Sequence, residues 1–275
     1  MTRREKKQPN PPGQCIFCGK RGKRSGEHVF PEWFSKIVPR TEERHHSIRA
    51  NVVDHTVSPD IAFIRREGDI ASRKLKAPCK ECNQGWMSQI ETASIPILTP
   101  MILGQPITLT AEVQQIIATW TTLKTLVIET DDPKSAAMRP QAAKQFYSDR
   151  KPFNDWKIWI GQYTGTTWSQ GKRMIHNGAF LGPSQMASVK NFGQCERRNI
   201  QTTTICGGQL YIHVFSTTVP NTFYGFKGRL GDVLSLVHPY GGDISWPPKV
   251  SMTDGDAGQI ALSLAAVVPT RGTAA

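Results

Sequence analysis

The clearest repeat of hydrophobic positions lies in residues 111–129, where apolar side chains recur at steps of three and four residues. The positions that carry this repeat are Ile116, Ile117, Trp120, Leu123 and Val127. Such a period is that of one face of an α-helix, so a helix is predicted from residue 111 to residue 129. Shorter helices are predicted for residues 140–149 and 255–265.

Between these shorter helices the pattern changes to short runs rich in β-branched and aromatic residues, which favour strands. Four strands are predicted, at residues 156–163, 166–175, 200–205 and 209–217. Gly207 and Gly208 separate the last two and are typical of a hairpin turn. The second part of the chain is therefore predicted to be a mixed α+β domain.

The first hundred residues carry shorter and weaker patterns. The predicted elements are, in order, a strand at 26–30, a helix at 31–38, a polar loop at 40–60, weak strands at 61–64 and 73–77, and a helix that starts at Asn83 and fades near Pro96. Pro31 suits the first turn of its helix because proline has no N–H to leave unpaired.

Proline and glycine cluster at residues 100–106, and the sequence changes character there. We therefore predict a disordered basic arm at residues 1–13, a small module at residues 14–99 and an α+β domain at residues 107–275.

Composition limits the class of protein. The chain has 275 residues, of which 38% are hydrophobic, and this suffices for one large or two modest domains. It contains no run of about 18 apolar residues, so we expect no membrane span and no membrane partner. Proline and polar residues follow the charged N-terminus where a signal peptide needs an apolar segment. A soluble, cytoplasmic protein is expected.

The net charge of +12 favours a polyanionic partner, and nucleic acid, DNA above all, is the expected one. Residues 1–100 hold 18 Lys and Arg against 11 Asp and Glu. The positive excess is therefore densest in the first part of the chain. The alternative is that the charge only promotes solubility.

Four of the six cysteines form two C-x2-C pairs, Cys15 with Cys18 and Cys79 with Cys82. In an intracellular protein this spacing favours a metal site over disulfides. Four thiolates close a tetrahedral site around zinc and leave no open position, so the ion would be structural. An iron–sulfur cluster is the alternative for the same ligands.

The residues around the cysteines carry a family resemblance. In order, the chain has Cys15-Ile-Phe-Cys18, Glu27-His28-Val-Phe-Pro31 and Cys79-Lys-Glu-Cys82-Asn83. This order resembles the HNH endonuclease family of the zinc-bound ββα-metal type. The resemblance covers residues 15–92, about the first third of the chain, and similar endings occur among uncharacterised bacterial and phage proteins.

The resemblance implies a zinc-stabilised ββα-metal module that hydrolyses phosphodiester bonds of DNA. His28 would be the general base, while Glu27 and Asn83 would bind a catalytic divalent ion, Mg²⁺ or another. Adjacent strand residues point to opposite faces, so Glu27 and His28 can serve one site only if the strand bends there. Asn83 is expected at a helix N-terminus.

Six basic residues precede or enter the second cysteine pair, and we predict that they contact phosphate: Arg65, Arg66, Arg73, Lys74, Lys76 and Lys80. A solvated basic face is the alternative. Two other functions stay open. One is a non-catalytic, zinc-stabilised nucleic-acid-binding protein in which Glu27 and His28 are structural. The other is a protein whose second domain binds proteins and whose charge is incidental.

Overall fold

The computed structural model describes residues 13–39, 72–131, 136–138, 140–168, 172–179, 199–218 and 222–263, and the backbone of four short strands between residues 45 and 66. The predicted arm, apart from Gly13, lies outside the described residues, as do the side chains of Arg65 and Arg66. In the described part of the chain, no helix has both the length and the apolar character needed to cross a bilayer.

The chain begins with a loop that carries the first cysteine pair and leads into strand β1 (Glu27–His28). This strand pairs antiparallel with β6 (Lys74–Leu75), so that Glu27 faces Leu75 and His28 faces Lys74 across the ladder. Helix α1 (Phe34–Ile37) follows β1 and is one turn long. The predicted strand is confirmed, and the predicted helix at residues 31–38 is shorter than expected.

The predicted loop at residues 40–60 is wrong in part, because four strands form between β1 and β6. Strand β2 (His45–Arg49) pairs with β5 (Ala62–Arg66), and β3 (Val52–Val53) pairs with β4 (Thr56–Val57). The polar residues of β2 and the short length of β3 and β4 concealed these ladders, whose backbone hydrogen bonds do not depend on apolar side chains. The strand predicted at residues 61–64 is β5.

Helix α2 (Lys80–Cys82), a π-helical segment (Asn83–Met87) and helix α3 (Ser88–Ile102) follow one another directly, with a kink at Gly85, whose backbone is not helical. The predicted end near Pro96 is wrong, since Pro96 and Pro100 both lie inside α3. An interior proline costs a helix about 3 kcal/mol. The side chains beyond Pro96 offset that cost because they are buried in the core: Ile97, Leu98, Met101 and Ile102.

The predicted helices of the second part are confirmed as α4 (Ala111–Ile128) and α5 (Pro140–Asp149). Strand β7 (Ile107–Leu109), which the sequence did not predict, precedes α4. A single 3₁₀ turn (Glu129–Asp131) ends the long helix.

Five antiparallel strands make the largest sheet. They are β8 (Lys157–Gln162), β9 (Lys172–Ala179), β10 (Ile200–Gly207), β11 (Leu210–Thr217) and β12 (Ser235–His238). Their order across the sheet is β12-β8-β11-β10-β9. The predicted hairpin between β10 and β11 is confirmed, and Gly208 has a φ of 55° in its turn.

One strand was predicted too early. Residues 166–168 form a turn, in which the backbone N–H groups of Thr166 and Thr167 donate to the Asp254 carboxylate, and the strand starts at Lys172. The remaining elements are α6 (Arg229–Asp232), β13 (Ile244–Trp246), which pairs with β7, and α7 (Asp254–Ala261).

A hydrophobic cluster runs through both predicted parts of the chain. It contains Phe17 and Met87 from the first part, Trp120 from α4, and Ile205 and Ile212 from the sheet. The division at residues 100–106 stays a prediction about folding units, but the two sides share this core. The whole is a mixed α+β structure.

Candidate metal centre and adjoining cavity

The two cysteine pairs converge on one point. The sulfur atoms of Cys15, Cys18, Cys79 and Cys82 all lie within 4.8 Å of one another. The Cys15 and Cys82 sulfurs are 3.9 Å apart, and those of Cys18 and Cys79 are 3.6 Å apart. Zinc–sulfur bonds of about 2.3 Å in a tetrahedron require sulfurs about 3.8 Å apart, so the cluster can bind a zinc ion.

The surrounding backbone suits thiolates. The Cys79 N–H donates to the Cys15 sulfur at 3.2 Å, and Gly19, with a φ of 74°, turns the loop so that its N–H reaches the Cys15 carbonyl at 3.1 Å. Burial raises the pKa of the Cys79 and Cys82 thiols. An ion would therefore have to displace these protons as it binds. We call residues 13–39 and 72–90 the cysteine module.

Glu27, His28 and Asn83, which the sequence singled out, line one cavity beside this cluster. The cavity has a volume of about 560 Å³, and its wall also includes Ser25 and Glu91. Strand β1 is two residues long and the chain bends directly after it. The bend is at residues 29–30, after Glu27 and His28 rather than between them, and both nevertheless line the cavity. A larger cavity of about 840 Å³, lined in part by Phe153 and Trp156, contains none of the motif residues.

Glu27 is only 8% exposed, and a lysine from α4 holds its carboxylate. Lys124 Nζ donates to Glu27 Oε1 at 2.6 Å and to Glu91 Oε1 at 2.5 Å. Burial lowers the pKa of Lys124, but the charges of Glu91 and Glu27 raise it above its ordinary value overall. The lysine is therefore charged, and the two carboxylates and one ammonium leave a net charge of minus one.

Asn83 lies one turn inside its helix, because the helix begins at Lys80 with Cys79 as the preceding cap residue. The prediction that Asn83 lies at a helix N-terminus is therefore wrong, and the helix dipole gives Asn83 no special role. Its Nδ2 donates to Ser25 Oγ at 3.0 Å and to the Gly26 carbonyl at 3.3 Å. With Nδ2 fixed by these two acceptors, Oδ1 is the atom that remains for a ligand.

His28 is partly buried, and its Nε2 lies 3.5 Å from Glu32 Oε1. Burial, followed by the positive charge of Lys74, lowers the pKa of His28 below its ordinary value. The imidazole is therefore mainly neutral at pH 7, the form that can accept a proton.

Of the predicted phosphate contacts, Lys74, Lys76 and Lys80 are exposed on the cysteine module. Lys74 pairs with His28 across the ladder, and Lys80 lies between Cys79 and Cys82 in the motif itself. Arg73 differs, since its side chain is mostly buried and its guanidinium forms an ion pair with Asp131. We therefore leave Arg73 out of the candidate nucleic-acid surface.

Sequence reasoning missed Lys124 and Glu91. For Lys124 a signal was available. It is a charged residue next to Leu123 and four residues after Trp120, on the apolar face of the predicted helix at residues 111–129. Three histidines of the second part also have polar partners in the structure. His176 contacts Thr203, His213 contacts Thr204 and Tyr224, and His238 contacts the Phe153 carbonyl.

Comparison with known proteins adds little to these observations. No family model and no solved structure matches the chain. A segment is 35% identical over 69 residues to Protein lin-15B of Caenorhabditis elegans. That alignment covers 22% of this chain and 5% of lin-15B, so it shows neither a family nor an activity. What the residues show is a mixed α+β chain with a four-cysteine site able to bind zinc, next to an open polar cavity.

Proposed function

We propose that the protein is a metal-dependent endonuclease of the HNH type that hydrolyses phosphodiester bonds of DNA. The observation that carries the proposal is that Glu27, His28 and Asn83, which come from two distant segments of the chain, line one cavity beside the cysteine cluster. The order of the motif in the sequence is thus matched by proximity in space.

His28 is the proposed general base. Hydrolysis of a phosphodiester requires a water molecule that loses its proton as it attacks phosphorus, and a neutral imidazole open to the cavity can take that proton. The lowered pKa of His28 keeps the ring in the required form at neutral pH. The exposed Glu32 carboxylate beside Nε2 can then stabilise the imidazolium that results.

The donor set fits a hard divalent cation. Carboxylate and carboxamide oxygens are the ligands such ions prefer, and Mg²⁺ commonly uses one or two protein ligands together with water and phosphate. Glu27 Oε2 and Asn83 Oδ1 are the oxygens offered here, since Lys124 and the Ser25–Gly26 pair hold the other atoms of these groups. When bound, the ion would neutralise charge that develops on the leaving oxygen.

Charge supports DNA as the substrate. Lys74, Lys76 and Lys80 are exposed on the module that holds the cavity, and the whole chain carries a net charge of +12. Lysines at such positions hold the phosphate backbone in register without reading bases. The cavity is lined by three carboxylates, those of Glu27, Glu32 and Glu91, and only the Lys124 ammonium pairs with two of them. The excess of negative charge favours a cation between the cavity and a phosphate.

A second candidate is a zinc-stabilised nucleic-acid-binding protein that cuts nothing. The observation in its favour is the Lys124–Glu27 ion pair, because a buried, paired carboxylate is what a structural role for Glu27 requires.

Plasmid nicking with Mg²⁺ separates the two candidates. Wild type and His28→Ala are compared at equal zinc content, with circular dichroism as the check of folding. The nuclease proposal predicts that the variant binds DNA as before and nicks it about 10²–10⁴ times more slowly. Equal nicking by both proteins would refute His28 as the general base. DNA binding without nicking by wild type, with Mg²⁺ or Mn²⁺, would favour the second candidate.

A further inference from the structure

Lys124 comes from outside the predicted nuclease module, yet it reaches the candidate active site. It lies on α4 and is 2% exposed, a degree of burial that lysine reaches only when its charge is paired. The ammonium has three N–H bonds, and three acceptors surround it. Besides Glu27 Oε1 and Glu91 Oε1, the His28 carbonyl oxygen accepts at 3.3 Å.

Two of the three acceptors belong to the strand that carries the motif. The ammonium therefore holds both the carboxylate of Glu27 and the backbone of His28. Glu91, the third partner, is itself fixed by two indole donors, Trp33 Nε1 at 2.9 Å and Trp120 Nε1 at 3.3 Å. Every member of this network is thus tied to a packed element, and the lysine cannot shift without moving the site.

We propose that Lys124 is a positioning residue for the candidate active site. By holding Oε1 of Glu27, it directs Oε2 toward the cavity where a divalent cation would bind. This inference rests on the proposed function, because it assigns Glu27 to a cation. It also makes helix α4 a necessary part of the site, so the nuclease would not be confined to residues 14–99.

The sign of the effect on cation binding distinguishes positioning from simple electrostatics. Removal of a positive charge next to a cation site strengthens cation binding when charge alone matters. Loss of the hydrogen bond that orients a ligand weakens it, and such supporting residues typically contribute about 10–100-fold to metal affinity. The two roles therefore predict opposite changes.

The test measures Mn²⁺ binding by electron paramagnetic resonance in zinc-replete protein. Because Lys124→Met alone would leave two buried carboxylates without a cation, the comparison uses Glu91→Gln as the reference background. Lys124→Met and Lys124→Gln are each added to it, the second as a more polar substitution. Zinc content and circular dichroism identify the variants that fold.

We expect the folded Lys124 variants to bind Mn²⁺ about tenfold more weakly than the Glu91→Gln reference. Unchanged or tighter binding would overturn the positioning role, as would a wild type that binds no Mn²⁺ outside the cysteine cluster. Nicking assays on the same proteins test the nuclease proposal separately from the positioning role of Lys124. A wild type whose Mn²⁺ affinity depends on Lys124 but which cleaves no DNA refutes the nuclease and leaves the positioning role intact.

Discussion

The cysteine module and the five-stranded sheet are stabilised in different ways, although a hydrophobic cluster joins them. In the sheet, every residue of β10 and β11 is buried, and hydrophobic clusters cover both faces of these strands. In the module, strands are two residues long, and four cysteine sulfurs gather where a larger domain would place apolar side chains. The sheet is stabilised by its packing, whereas the module also contains a four-cysteine site that can bind a zinc ion.

This contrast explains where the polar chemistry lies. A region held by bonds to a metal can expose a histidine, a carboxylate and an amide around an open cavity, since it does not need those positions for apolar packing. The sheet offers no such freedom. Its one fully buried histidine, His213, is surrounded by Thr204, Tyr224 and aromatic rings and has no access to substrate.

Loss of the zinc site should have the largest effect, because it should destabilise the cysteine module and leave the five-stranded sheet folded. Structural zinc contributes about 10–16 kcal/mol to the folding of small zinc-binding peptides. We expect Cys82→Ser to lose zinc, and hydrogen exchange to show loss of amide protection in residues 13–39 and 72–90. Amides of β10 and β11 should keep their protection. Cys206→Ser, which changes a buried cysteine of the sheet, is the control and should keep full zinc content.

A smaller effect concerns pH and the sheet. Burial lowers the pKa of His213 to about 3, so the folded state keeps it neutral while the unfolded chain protonates it near pH 6.5. The unfolded state then binds more protons in acid, and the sheet should lose about 3 kcal/mol between pH 7 and pH 4 from this group. His213→Gln should be less stable than wild type at pH 7, but its stability should fall less steeply as the pH is lowered. Hydrogen exchange of the β11 amides measures both. If the stability of both proteins falls equally with pH, His213 does not cause the pH dependence.

The smallest predicted effect concerns the surface of the module. Lys74 pairs with the strand of His28, whereas Lys36 is exposed on α1. Lys74→Ala should weaken DNA binding and lower the slope of log affinity against log salt by about one, because one phosphate contact is lost. Lys36→Ala, which removes the same charge, should change that slope less. Equal changes in fluorescence anisotropy titrations would show that only net charge matters.

Local sequence predicted the elements whose stability is local. Helix α4 followed from a regular apolar period, and the β10–β11 hairpin from its two glycines. The end of α3 was missed because tertiary burial outweighed Pro96, and no local pattern contains that burial. Strand β2 was missed because four of its five residues are polar, and β3 and β4 were missed because two residues are too few to form a pattern.

The candidate site divides in the same way. Its cysteines, Glu27, His28 and Asn83 could be selected from the sequence because their spacing is regular and their order is specific. Lys124 could be noticed as a charge on an apolar helix face, but its partner could not be predicted, since Lys124 is 42 residues beyond Cys82 and meets Glu27 only when α4 packs against the module. Long-range ion pairs of this kind depend on the tertiary fold, which spacing does not reveal.

The central claim is that two neighbouring sites hold two different ions, zinc among the thiolates and a hard cation in the cavity. Anomalous diffraction from crystals grown with Mn²⁺, measured at the absorption edges of both metals, tests it directly. We expect a zinc peak among Cys15, Cys18, Cys79 and Cys82 and a manganese peak in the cavity lined by Glu27, His28 and Asn83. A cavity without manganese in crystals soaked at saturating concentration, or manganese bound only elsewhere, would contradict it.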